Sequence, residues 1–313
     1  MINIGSELVN LNEYPVSTVL DILLKDRTTG KNIIFATNEY AFAYERDEIT
    51  TELVNGDFFN EIQPRVEKAK ESQATRTKEK AEVFTPSWIC NKMNNHCDEE
   101  WFGRKNVFNT ERCSSWAVNK KKIKFPEEKT WKDYILSKRL EITCGEAPYI
   151  VSRYDTTSGE PIDINRRIGI LDRKLRVVTE NAKDEKEWRE WAYKAFQSVY
   201  GYEFQGDNLL IARINLLNTF VDYMKTVWNK KPTKQQITKI AEIVSWNIWQ
   251  MDGLTGTIPF ENKPDEFEQY SFFDSVFGTE EPKEVIEVEC RIMDWATGKT
   301  IKFSDIRSGK NEI

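Results

Sequence analysis

The chain has 313 residues, with 45 Lys and Arg, 51 Asp and Glu and one histidine, for a net charge of −6, and its 39% hydrophobic and 12% aromatic content is that of an ordinary globular protein. The single His96 excludes a multi-histidine zinc centre, and a Ser-His-Asp triad or Cys-His dyad would have to be built on that one residue. No stretch reaches the roughly 18 uninterrupted apolar residues of a membrane span, and residues 1–12 lack the basic-then-apolar order of a signal peptide, so a cytoplasmic location is expected.

In chain order, the first eighty residues read as a helix from Val16 to Lys25, a turn at Arg27 to Gly30, a short β-like run from Asn32 to Thr37 and a polar helix after Gly56. Thr85-Pro86 gives a helix start, Thr85 as N-cap and Pro86 at the first helical position, followed by Ser87 to Cys97 as the helix. Cys97 to Lys129 is irregular. From Trp131 strands alternate with helices, the rhythm of a parallel sheet with covering helices. Leu140 to Thr143 is the first strand. Val199 to Glu203 is the second, preceded by an amphipathic helix carrying Trp188, Trp191 and Ala195.

After Asp207 comes the strongest helix, with Leu210, Ile214, Leu217, Val221, Met224 and Trp228 at alternating spacings of four and three, a stripe read as core. A further helix, Thr233 to Val244, leads to a third strand, Asn247 to Met251, ending at Asp252-Gly253. Glu261 to Glu289 holds ten acidic residues against two lysines, leaving +2 on the rest of the chain, and reads as a linker or a loose surface segment. Val285 to Met293 and Thr300 to Phe303 flank Asp294 to Gly298 as a β-hairpin. Basic concentrations lie at Arg65 to Lys80 and at Lys120, Lys121, Lys122 and Lys124, each by itself a solvated surface.

In an open α/β sheet, ligands bind at the carboxyl ends of the strands. The first strand ends in Thr143-Cys144-Gly145-Glu146-Ala147-Pro148, a tight turn suited to close backbone approach. The second ends in Glu203, a carboxylate able to accept two ribose hydroxyls. The third ends in Asp252, placed to accept from an exocyclic amine. Together these are the contacts a nucleoside requires. Taken singly, each acid reads as a surface carboxylate or helix cap.

These residues resemble the gamma-class DNA adenine-N6 methyltransferases of restriction-modification systems. Phe84-Thr85-Pro86 is similar to the family's Phe-Thr-Pro motif, which contacts the methionine part of S-adenosylmethionine (SAM), with the helix N-terminus as a seat for its carboxylate. Leu140 to Gly145 resembles the first cofactor loop. Gly201-Tyr202-Glu203, followed by Ala212-Arg213-Ile214-Asn215-Leu216, resembles the ribose-binding strand and the helix after it. Asn247 to Leu254 is similar to the strand whose aspartate meets the adenine. The resemblance covers about Glu82 to Leu254. It implies a Rossmann-like fold and a SAM site made of Phe84, Thr85, Pro86, Glu141, Thr143, Cys144, Gly145, Pro148, Glu203, Phe204, Asp252 and Gly253.

Three features depart from the family. Ala147 stands where the cofactor loop usually has a second glycine, and the connection from Pro148 to Gly201 is longer than usual, an insertion at about 155–190. The catalytic Asn/Asp-Pro-Pro-Tyr/Phe loop is absent, since none of the ten prolines follows Asn, Asp or Pro. In the family that loop lies on the next strand of the sheet, which this sequence does not reach before Ile313.

The resemblance therefore implies a split enzyme. This chain would bind SAM, while a second polypeptide would supply the catalytic loop, the rest of the sheet and the target-recognition domain. Double-stranded DNA would be engaged by the complex. An unpaired sheet edge and exposed apolar face would favour a tight heteromer. The expected organisation is a mostly helical extension over 1–80, an α/β SAM-binding domain over 81–260, and an acidic linker with a hairpin over 261–313. Two other classes stay open: a catalytically dead methyltransferase-fold module, and an autonomous methyltransferase of a small molecule or protein. No metal site is expected, because Cys90, His96, Cys97 and Cys113 fit no standard zinc spacing. Five scattered cysteines read as reduced thiols, and Trp88 is the tryptophan nearest the motif.

Overall fold

The computed structural model describes residues 8–55, 61–68, 85–260 and 288–308. After a 3-10 turn at Val16–Thr18, its helices and strands are α1 (Leu20–Leu23), α2 (Thr51–Asn55), α3 (Ser87–Phe102), β1 (Asn109–Arg112), β2 (Ser115–Val118), α4 (Trp131–Leu136), β3 (Arg139–Glu141), α5 (Ile170–Asn181), α6 (Glu185–Gln197), β4 (Val199–Glu203), α7 (Gly206–Trp228), α8 (Lys234–Asn247), β5 (Ile248–Gln250), β6 (Arg291–Asp294), β7 (Lys299–Lys302) and α9 (Phe303–Arg307). The protein is mixed α/β, built around a three-stranded parallel sheet in the order β3-β4-β5, with two antiparallel hairpins beside it.

The sheet follows from its sequence. Val199–Glu203 combines β-branched, aromatic and small residues, and all five are buried, as a central parallel strand covered on both faces requires. Register pairs Glu141 with Gly201 and Glu203 with Gln250, which brings the carboxyl ends of the three strands to one edge. The core stripe of α7 is buried at Leu210, Ile214, Leu217 and Met224. Capping boxes at Thr130 and Thr233 start α4 and α8.

Helix α3 is fixed to α5 by a buried polar network. Arg173 pairs with Asp98 at 2.5 Å and donates to Asn91 and Asn95, each at 2.9 Å, while the Tyr134 hydroxyl donates to Asp98 at 2.9 Å. These bonds engage both terminal nitrogens of a buried guanidinium whose Nε has no partner, and so offset much of the cost of burying it.

Several expectations are corrected. The described part of residues 1–80 is not mostly helical: Val16 to Lys25 splits into a 3-10 turn and one turn of α1, and the remainder is largely irregular. Most of the polar helix expected after Gly56 lies outside the described residues. This N-terminal region shares the main core, with Val19, Leu23, Ile33 and Phe35 fully buried. It is tied to the sheet where Gly206 N donates to the Phe35 carbonyl at 3.0 Å, and where Gln250 accepts from Ile34 N at 2.9 Å and donates to its carbonyl at 2.8 Å. Arg213 of α7 gathers the Leu23, Lys25, Ser245 and Ile248 carbonyls.

The hairpin β6–β7 forms around Trp295 to Gly298 as expected. It packs with Phe303 over Tyr202 and Trp249, at ring separations of 5.8 and 5.7 Å. One face of the sheet expected to lie bare is therefore covered, and among the described residues no strand lies beside the outer edge of β3. The stretch read as irregular holds β1 and β2, and the insertion holds α5. Among the described residues, no helix is long and apolar enough to cross a membrane.

Candidate functional site

At the carboxyl edge of the sheet lies a cavity of about 900 Å³, within the size range of small-molecule sites. Its floor is the loop after β3. Its walls are the end of β4 with the start of α7, and the face of α3 that carries Met93, Asn94 and Cys97. Of the twelve residues expected here, Thr85, Glu141, Thr143, Cys144, Gly145, Pro148, Glu203 and Phe204 line this one cavity.

The loop is wound tightly. Thr143, Gly145 and Ala147 have φ of 47°, 53° and 64°, so two non-glycine residues sit in the left-handed region beside one glycine. For the β-branched Thr143 this is an outlier, of the kind that concentrates at functional sites. Ala147, standing where a second glycine was expected, takes a glycine-like conformation and is fully buried. Cys144 N donates to the Tyr202 carbonyl at 2.8 Å, and the Cys144 side chain lies over Gly201, where an added Cβ would come within 3.2 Å of it. Glycine at 201 therefore leaves room for the Cys144 side chain, and any larger residue there would require it to shift by a few tenths of an ångström.

Two carboxylates organise the backbone around this loop. Glu203 accepts from Gly145 N at 2.8 Å, and its other oxygen accepts from Phe204 N at 2.9 Å and Gln205 N at 3.1 Å. Glu141 accepts from Tyr149 N at 3.3 Å and Ile150 N at 3.1 Å. Burial pushes the Glu141 carboxyl well above its ordinary range; the two amides pull the other way and the Glu203 charge adds to the rise. The Cys144 thiol is likewise pushed well up by burial, with Glu141 and Glu203 reinforcing it. The site thus disfavours further negative charge at its floor while offering acceptor oxygens to hydroxyl donors.

Pro86, Asp252 and Gly253 are not among the cavity-lining residues. Phe84 lies outside the described residues. Pro86 is the N-cap of α3, displacing Thr85 from that role, and makes no side-chain cap. The Thr85 carbonyl instead accepts from Thr156 Oγ1 at 3.2 Å. Asp252 accepts from Leu254 N at 2.9 Å and Gly253 packs against the Tyr202 ring, both outside the cavity lining. Trp88 is also outside it.

The N-terminus of α3, read as a seat for a ligand carboxylate, already has a protein carboxylate: Asp155 Oδ2 accepts from Ser87 N at 2.8 Å. Burial opposes ionisation of Asp155, yet hydrogen bonds from Thr157 and Ser87 hold its carboxyl down at about 2. Asp155 belongs to the insertion whose role the sequence left open. Asn94 was also missed; it donates to the Tyr149 and Ile168 carbonyls at 2.9 and 3.0 Å and locks the cavity wall to that insertion. The spacing of Cys90, Asn94 and Cys97 along one helix face was the available signal. Among the described residues, no group of three or more His, Cys, Asp and Glu side chains converges as a metal ion would require. No family model, curated protein or solved structure matches this chain.

Proposed function

We propose that the chain is the SAM-binding subunit of a two-polypeptide DNA adenine-N6 methyltransferase, its parallel sheet being one half of a Rossmann-like sheet. The observation that carries this is the convergence of Gly145 and Glu203, 2.8 Å apart, on one cavity at the carboxyl ends of adjacent parallel strands. In the resembled family these positions are the cofactor loop and the ribose acid.

The residues fit such a ligand. Glu203 offers acceptors at the cavity edge, although three amides already draw on it, so a ribose hydroxyl shares or displaces one of those bonds. Gly145 lets the ligand approach the backbone, and Met93, Leu140, Ile142 and Phe204 supply apolar wall. SAM, when bound, supplies an electrophilic methyl group on its sulfonium. This chain's part is to hold and orient that cofactor, and a partner would bring the Asn-Pro-Pro-Tyr-type loop that holds the flipped adenine.

The sheet edge supports a partner. Among the described residues, strand β3 has a neighbour on one side only. Arg139 N donates to the Ser198 carbonyl at 3.0 Å, so by strand alternation the backbone groups of Leu140 face away from β4. Leu140 and Ile142 are 39% and 64% exposed there, an apolar open edge of the kind proteins normally cover.

The test is a calorimetric titration of SAM into the full chain and into Glu203→Ala. Saturable binding that the substitution weakens supports the cofactor subunit. The engagement of Glu203 by three amides favours one rival, a methyltransferase-fold module that has lost the cofactor. Absence of binding, both alone and with a candidate partner added, would select that rival.

A further inference from the structure

We propose that the loop over residues 119–124 is a contact surface for the phosphate backbone of duplex DNA. It rests on the function proposed above only in naming DNA as the polyanion; the surface itself stands on charge and geometry.

Residues 103–125 carry seven basic side chains, Arg104, Lys105, Arg112, Lys120, Lys121, Lys122 and Lys124, against the single acid Glu111. All seven are exposed. Lys105 pairs with Glu99 at 3.6 Å, whereas among the described residues the four lysines of the loop form no ion pair.

The backbone beneath those lysines is fixed. Arg176 of α5 donates to the Asn119 carbonyl at 2.6 Å and the Lys121 carbonyl at 3.1 Å. Its ion-pair partner Glu180 accepts from Ile123 N at 2.7 Å, and Arg104 donates to the Lys124 carbonyl at 2.8 Å. Ile123 is 3% exposed and anchors the loop in the core. A solvated lysine run needs no such scaffold. Here the backbone is held at Asn119, Lys121, Ile123 and Lys124 while the four lysine side chains stay exposed, which lowers the ordering cost of meeting a row of phosphates. With a Debye length of about 8 Å at physiological salt, this local positive field is felt by a polyanion although the whole chain is net negative.

The test measures binding of a fluorescent duplex oligonucleotide to the full chain over a salt series. The variants are Lys120→Ala/Lys121→Ala/Lys122→Ala/Lys124→Ala and a control with the same charge change elsewhere, Lys183→Ala/Lys186→Ala/Lys231→Ala/Lys234→Ala. The loop variant should lose affinity by about tenfold or more at low salt, and the slope of log affinity against log salt should shrink by about 0.9 for each lysine that meets a phosphate. The control should bind like the parent. Equal loss in both variants, no loss in the loop variant, or no binding by the parent chain overturns the proposal, as does a preference for single-stranded RNA. SAM titration of the loop variant separates the two proposals: unchanged SAM binding with lost DNA binding supports the surface, and absent SAM binding with DNA binding intact sinks the cofactor function alone.

Discussion

Gly145 donates its backbone N–H to Glu203 Oε2 at 2.8 Å, so the loop after β3 and the last residue of β4 act as one unit. Glu203→Ala strands three amides that the carboxylate now satisfies. Its expected cost to folding is about 1–3 kcal/mol, and on the proposed function SAM affinity should fall by a similar amount. Glu203→Gln keeps one acceptor oxygen but turns an amide donor toward a donor, and should fall between parent and alanine. Denaturant melts and calorimetry on the three proteins check the order. An alanine variant equal to the parent in both measurements would remove Glu203 from the site.

The N-terminal region depends on one glycine. At Gly206 an added Cβ would stand 1.9 Å from the Ile34 carbonyl oxygen, a position no rotamer change relieves because the obstruction is backbone. Gly206→Ala should therefore push the Ile33 to Phe35 segment off the sheet edge, at a cost of about 1–3 kcal/mol. Faster proteolysis in the Arg27 to Gly30 turn should accompany it. An unchanged unfolding midpoint would mean that this segment does not sit against α7.

Asp172 gives the protein a pH dependence of defined sign. Burial raises its carboxyl from 3.8 to about 6, outweighing the Arg167 guanidinium 4.0 Å away and the Ser152 hydrogen bonds. The folded state then holds the proton more tightly than the unfolded chain, so stability is greatest below the unfolded value and falls as pH rises from 3.8 to about 6. Near 1.4 kcal/mol per unit, the loss is on the order of 3 kcal/mol. Asp172→Asn should flatten that part of the profile, read from urea midpoints across the window. A parent profile that rises with pH there would contradict the assignment.

What the sequence revealed and concealed divides along physical lines. Val199 to Glu203 was legible end to end because a fully buried strand is a continuous apolar run bounded by turns. The loop after the first strand and Glu203 were expected at one sheet edge because consecutive parallel strands are usually neighbours. Asp252 was placed with them on the same pattern, yet beyond β5 the chain turns at once and Asp252 is used to hold Leu254 N. Strand β1 was invisible, since three of its four residues are exposed and polar. Asp155 was unreadable for another reason. Its partner Ser87 is 68 residues away, and no local spacing signals a cap supplied by a distant loop. The helix expected over Val16 to Lys25 breaks at Val19, whose φ of −142° is not helical, and past Leu23 the Leu23 and Lys25 carbonyls are taken by Arg213 from a helix some 190 residues away, a partner that no local spacing signals.

The open edge of β3 makes the last prediction. Because Arg139 N is bonded to the Ser198 carbonyl, the Leu140 N–H points out of the sheet, and a proline there removes no ladder bond. Leu140→Pro should cost less than about 1 kcal/mol, whereas Tyr202→Pro, in a strand paired on both sides, should cost about 3 kcal/mol or more. Hydrogen exchange makes the same distinction without substitution: in the isolated chain the Leu140 amide should exchange far faster than those of Tyr202 and Trp249. Slow exchange at Leu140 that disappears on dilution would show a second copy covering the edge. Slow exchange independent of concentration would show the chain covering its own edge, and the case for a strand-donating partner would lose its structural support. Fast exchange that becomes slow only when a candidate subunit is added would identify both the partner and the place where it binds.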